Sequence, residues 1–151
     1  MSRSARGGRT AGQSLVEFAL VLPVFLLLLF GLIDIGRYVF TVNALSQAAR
    51  EGARFGSVAS WAAACSETRQ ACIQRETLGR MAGVRTDATT VEVTCRRYAA
   101  GKLADAPVSG CHSNDLLGVR LSMRFQVLTP LIGQVLGEPT ITGFAEMTVN
   151  Q

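Results

Sequence analysis

The chain has 151 residues and a formal net charge of +4, with four cysteines and a single histidine. Once a long helix is set aside, that length leaves room for one small core and no more. The basic excess sits at the front: Arg3, Arg6 and Arg9 precede Gly12 with no acid among them, and without them the net charge is +1. No basic stripe with interleaved aromatics remains, so a nucleic-acid partner is not expected.

From Phe18 to Ile33 the sequence FALVLPVFLLLLFGLI carries no charge over sixteen residues. A secretory signal peptide would have 7–15 apolar residues and end at a small-x-small site. Here the run passes straight into Asp34, Ile35, Gly36 and Arg37. Leu15 to Asp34 spans 20 residues, about 30 Å of helix, which matches the hydrocarbon thickness of a bilayer. A retained transmembrane segment at about residues 15–34 follows, with the leading arginines cytoplasmic and everything after the span exported. The bilayer is therefore the first partner.

Three features mark the span. Glu17 lies in its first turn, and an acid inside such a helix costs about 2.5–3.5 kcal/mol at the centre and less near the ends. Pro23 lies within it; neighbouring helices and local adjustments can satisfy the carbonyl that proline frees. The residue predicts a kink, either useful for helix packing or merely tolerated. Asp34 and Arg37 are i,i+3 neighbours at the outer end, read as interfacial anchors with Tyr38 at headgroup level.

The helical pattern continues beyond the membrane. Tyr38, Val42, Leu45, Ala49, Gly52 or Ala53, and Gly56 recur at steps of three and four, which predicts a single helix from about Gln13 to Gly56. Ala48, Ala49, Gly52, Ala53 and Gly56 make a face of small residues that permits close backbone approach. Its partner is either the chain's own sheet, the simpler reading, or a neighbouring helix. Arg50, Glu51 and Arg54 point elsewhere.

The exported part reads as α+β: a long N-terminal helix on a small antiparallel sheet, with one additional helix. Ser66 to Met81 is polar and helix-compatible, with Ser66 as N-cap and Gly83 as stop. Three segments then alternate at period two. Val91, Val93 and Cys95 share one face; Val119, Leu121, Met123, Phe125 and Val127 another; Ile141, Gly143, Ala145, Met147 and Val149 a third. Ala99 to Leu116 reads as a loop, and Thr129 to Gly137 as a helical turn or an apolar tip. Trp61 is expected in the core.

Cys65, Cys72, Cys95 and Cys111 all lie in the exported part, where an oxidising compartment favours two disulfides. Cys65 with Cys72 and Cys95 with Cys111 each close a short loop. Residues seven apart in one helix have Cα atoms about 10.5 Å apart, beyond disulfide reach, so Cys65 must lie outside the helix that holds Cys72. No metal site is expected: there is no C-x-x-C, and His112 beside Cys111 chelates poorly. Neither a cofactor nor an enzyme is expected, because adjacent Cys and His cannot orient on one another and no phosphate cradle or G-x-S-x-G occurs.

Gly12-Gln13-Ser14-Leu15-Val16-Glu17 ahead of an apolar helix has the layout of a type IV prepilin leader. The longer run GQSLVEFALVLPVFLLLLFGLIDIGR, followed about ten residues later by AAREGAR, closely resembles the N-terminal domain of TadE-like proteins, minor pilins or pseudopilins of the bacterial tight-adherence (Flp-type, type IVb) pilus. The resemblance runs from Gly12 to Gly56. It implies a leader at 1–12, a long helix at 13–57 and a pilin-like exported domain at 58–151, with cleavage by a prepilin peptidase after Gly12.

Gln13 would then carry the new amino group and Glu17 would be the fifth residue of the mature chain, placed to neutralise that ammonium on a neighbour. The implied partners are the peptidase, other pilin-like subunits and the assembly platform; the implied location is the bacterial cytoplasmic membrane. Relatives often have Tyr after the acid, where this chain has Phe18, so a role for that hydroxyl is not carried over. Against a pilus subunit stands a second reading, a single-pass anchored module whose sheet domain binds an envelope partner. Processing separates the two, because a simple tether needs neither Gly12 nor Glu17.

Overall fold

The computed structural model describes residues 8–58, 61–99, 101–129, 133–134 and 137–150. Leu is the commonest residue in the first fifty of these, and they form one helix, α1 (Gly8–Ser57). It starts ahead of Gln13, so the Gly12–Gln13 peptide is itself helical. Pro23 lies inside α1 without ending it; the missing N–H leaves only the carbonyl four residues earlier, on Ala19, without its usual donor.

The chain divides into two compact units, one of residues up to Arg37 with Val127–Gly137, the other of Tyr38–Gln126 with Glu138–Gln151. The first unit is dominated by the apolar part of α1, which is long and apolar enough to cross a membrane. Leu15, Leu20, Leu28 and Leu32 are 67–71% exposed. A soluble core helix would hide such side chains.

The second unit is the α+β part. After the short helix α2 (Trp61–Ala64) comes α3 (Arg69–Gly79). Four strands follow: β1 (Thr89–Ala99), β2 (Lys102–Ala106), β3 (Leu116–Arg124) and β4 (Thr140–Thr148). They form one antiparallel sheet in the order β2-β1-β3-β4. Val93, Cys95, Leu117, Val119, Leu121 and Ile141 are buried on one face. The opposite face carries Glu92, Arg120 and Phe144, all exposed.

Glycine decides how closely the outer half of α1 approaches this sheet. A Cβ on Gly143 of β4 would lie 2.5 Å from the carbonyl carbon of Leu45. One on Gly56 would lie 2.4 Å from Leu117 Cδ2 and 2.5 Å from Ile73 Cδ1, and one on Gly52 would lie 2.0 Å from Thr77 Oγ1. Leu45, Ala48, Ala49 and Ala53 are all at most 1% exposed. The small-residue face is therefore occupied by the chain's own sheet and α3.

Several expectations are corrected. The second helix begins at Arg69, with Thr68 rather than Ser66 as its N-cap, accepting from Ala71 N through its hydroxyl. Cys65 and Cys72 are bridged with Cα atoms 6.1 Å apart, so the helix has to start well after Cys65. The helix ends at Gly79, and Gly83 falls in the following turn at φ +75°.

The stretch read as a loop contains β2, paired with β1 through a turn with Gly101 at φ +78°. As an edge strand β2 buries little, so it lacks the apolar alternation that betrays a strand. β3 stops at Arg124 rather than reaching Val127. Phe125 N still bonds to Pro139 O at 2.9 Å, but Leu128 N and Thr129 N donate to a side chain outside the sheet. Trp61 is half-buried rather than a core residue, and the Arg69 guanidinium lies 5.5 Å from its ring centroid.

Candidate membrane and assembly site

Gly12 and Gln13 lie on the early turns of α1, where the backbone is already helical. A Cβ on Gly12 would meet nothing within 4 Å. That glycine is therefore not required by packing in this chain, although glycine costs a helix up to about 1 kcal/mol relative to alanine. Gln13 Nε2 donates to Glu17 Oε1 at 3.4 Å, a long contact that leaves the carboxylate open to solvent. Phe18 is 63% exposed, and Pro23 is exposed on the same helix.

Asp34 is different. Only 6% of it is exposed, against 63% for its neighbour Ile35. Oδ1 accepts from Leu128 N at 3.0 Å and, more weakly, from Arg37 Nη1 at 3.4 Å. Oδ2 accepts from both Thr129 N at 3.0 Å and Thr129 Oγ1 at 2.7 Å. The expected pair with Arg37 is present, but it is the weakest of the four contacts. The strong ones hold the segment that follows β3. Charge-assisted bonds to backbone amides are the stronger class, so Asp34 works chiefly as an acceptor for this distant segment. No spacing rule finds a partner 95 residues away.

The cysteines sit in the second unit. Cys65 is bonded to Cys72 and Cys95 to Cys111, the latter with Cα atoms 5.9 Å apart. Among the described residues, two clusters have metal-ligand character, Cys65/Glu67/Cys72 and Cys95/Cys111/Asp115. In each the two cysteines are bonded to one another, which leaves no thiolate to bind an ion.

Around the second disulfide, Asp115 is buried and accepts from Arg97 Nη2 at 2.6 Å and from His112 N at 2.8 Å. The Arg97 hydrogen bond, followed by the His112 amide, pushes its carboxyl down to about 2. Arg97 also donates to Gly110 O at 2.7 Å. Arg69, 4% exposed, donates to Gly56 O through Nη2 and to Cys111 O through Nη1, each at 2.6 Å. It thus satisfies a carbonyl at the C-terminus of α1 that the helix cannot. His112 and Cys111 are parts of this structural network and share no reactive geometry.

The chemistry on offer is burial of an apolar helix and pairing of charges at its ends. Residues 12–54 match the family model of TadE-like proteins. The matched stretch begins at Gly12, takes in Glu17, Pro23 and Asp34, and ends in the small-residue face that packs on the sheet. No curated protein and no solved structure matches the chain. Beyond the TadE-like segment, the sheet, its disulfides and the Asp115 network rest on the structure alone.

Proposed function

We propose that this protein is a minor pilin or pseudopilin of a bacterial Tad (Flp-type, type IVb) pilus. A prepilin peptidase cuts it after Gly12; the segment of about residues 15–34 holds it in the cytoplasmic membrane, with the N-terminus cytoplasmic and the sheet domain outside. Its partners are other pilin-like subunits and the assembly platform. One coincidence carries this reading: the TadE-like match covers the part of α1 whose large apolar side chains are exposed. Lipid and neighbouring helices are the surfaces that suit them.

Glu17 supplies the specificity. Cleavage frees an ammonium on Gln13, at a helix N-terminus whose dipole already adds positive charge. A carboxylate from a neighbouring subunit neutralises it in a low-dielectric setting, where pairing is strong and an unpaired charge is costly. Glu17 is exposed in the uncut chain and holds only a long contact from Gln13, which a stronger charged partner can replace.

Glu17→Gln tests the reading, since it keeps size and helix propensity while removing the charge. The variant should be cut and inserted, yet crosslink poorly to pilin-like subunits through Leu15–Val21, and piliation should fall. Unchanged crosslinking with normal pili would favour the anchored binding module instead.

A further inference from the structure

We propose that Val127–Thr129 is a second membrane contact: it lies on the outer leaflet, pinned by Asp34 to the end of the transmembrane helix, and the surface it fits is a lipid interface. The inference rests on reading α1 as a membrane span.

Position comes first. Asp34 is the first charge after the sixteen uncharged residues Phe18–Ile33, so it marks the outer end of the hydrocarbon-spanning helix. Its hydrogen bonds to Leu128 N, Thr129 N and Thr129 Oγ1 set these groups at its own depth. Non-helical backbone is admitted there only when protein satisfies its polar groups. One carboxylate satisfies three donors here, which equips an irregular segment to enter a poorly hydrated layer.

Surface chemistry comes second. Thr129 is 3% exposed, while Leu128, whose backbone the same carboxylate holds, is 58% exposed. From Phe125 to Gly137 the sequence FQVLTPLIGQVLG has no charged residue, with Arg124 before it and Glu138 after it. An apolar side chain held level with the end of a membrane-length helix gains by entering the headgroup/acyl boundary. Val127–Gly137 also falls in the same compact unit as the apolar part of α1. That continuity points to the same solvent, lipid, rather than to a separate protein partner.

Tryptophan quenching in the full-length protein provides the test. With Trp61→Phe as background, Leu128→Trp places one reporter on the segment and Leu27→Trp places a reference inside the span, each in phosphatidylcholine nanodiscs. Lipid brominated near the glycerol end of its chains should quench the reporter at 128 at least about half as strongly as the reference, with weak quenching by aqueous iodide. Iodide quenching at 128 without lipid quenching, while the reference is quenched by lipid, would overturn the proposal and leave the span intact. Loss of lipid quenching at both positions would remove the span and the proposal with it. Adding Asp34→Ala should cut lipid quenching at 128 by about twofold and leave the reference alone. Unchanged quenching at 128 would refute the role given to Asp34.

Discussion

Asp34 Oδ2 accepts two hydrogen bonds from Thr129, one from its amide and one from its hydroxyl, across 95 residues of sequence. The same carboxylate binds the preceding amide, Leu128 N. Asp34→Ala leaves three donors at a buried site without an acceptor, at a cost of about 1–3 kcal/mol for each group left unsatisfied. Amide exchange at Leu128 and Thr129 should accelerate sharply, while exchange in β3 changes little. Thr129→Val removes only the hydroxyl, and about 0.5–1.5 kcal/mol is expected for that single bond. Equal exchange in wild type and Asp34→Ala would show that this carboxylate does not hold the segment.

Processing provides a second check. If a prepilin peptidase acts on this chain, the mature protein begins at Gln13 and loses Arg3, Arg6 and Arg9 in one cut. Gly12→Leu should block cleavage without harming the fold, because a Cβ added at this exposed glycine meets nothing within 4 Å. Intact mass of membrane-extracted protein reads both results. A full-length mass for wild type in cells with an active peptidase would count against the assignment.

Glycines of α1 and β4 should separate into two groups on substitution by alanine. At Gly52 the added methyl would lie 2.0 Å from Thr77 Oγ1, a buried atom already donating to Ile73 O at 2.6 Å. Overpacking of this kind costs about 1–3 kcal/mol, so Gly52→Ala should lower the melting temperature of the detergent-solubilised protein. Gly143→Ala should be worse, since it strikes the Leu45 backbone. Gly36→Ala meets nothing within 4 Å and should be neutral or stabilising, by up to about 1 kcal/mol from helix propensity. A melting point lowered equally by all three would contradict these contacts.

Acid stability should depend on Asp115. Its carboxyl is held at about 2, first by the Arg97 hydrogen bond and then by the His112 amide, below the ordinary carboxylate value of about 4. A folded value depressed in this way stabilises fully above the unfolded value and loses that contribution as pH falls towards 2. Wild type should therefore lose melting temperature between about pH 4 and pH 2 more steeply than Asp115→Asn, which lacks the titrating group. Parallel acid limbs for the two proteins would assign the loss to other carboxylates.

Much of the fold was legible because its signals are local. The sixteen uncharged residues of Phe18–Ile33 announce a membrane-length helix, and the Ala/Gly steps from Ala48 to Gly56 announce the closely packed face beyond it. The apolar positions of β1, β3 and β4 recur at period two. β2 escaped notice because an edge strand buries too little to need that alternation. The start of α3 shifted because Thr68, not Ser66, caps it once Cys65 and Cys72 are bridged.

Sequence alone thus determined the long helix, its membrane-length apolar run, the α+β class and the TadE-like resemblance, all carried by composition and by neighbours a few residues apart. Tertiary structure decided which face of the outer helix meets which strand, that Asp115 is claimed by Arg97, and that Asp34 serves Leu128 and Thr129 more than Arg37. These are choices of partner across tens of residues. A hydrogen-bonding group is satisfied by whichever donor the folded chain brings within about 3 Å, and no local pattern records that meeting.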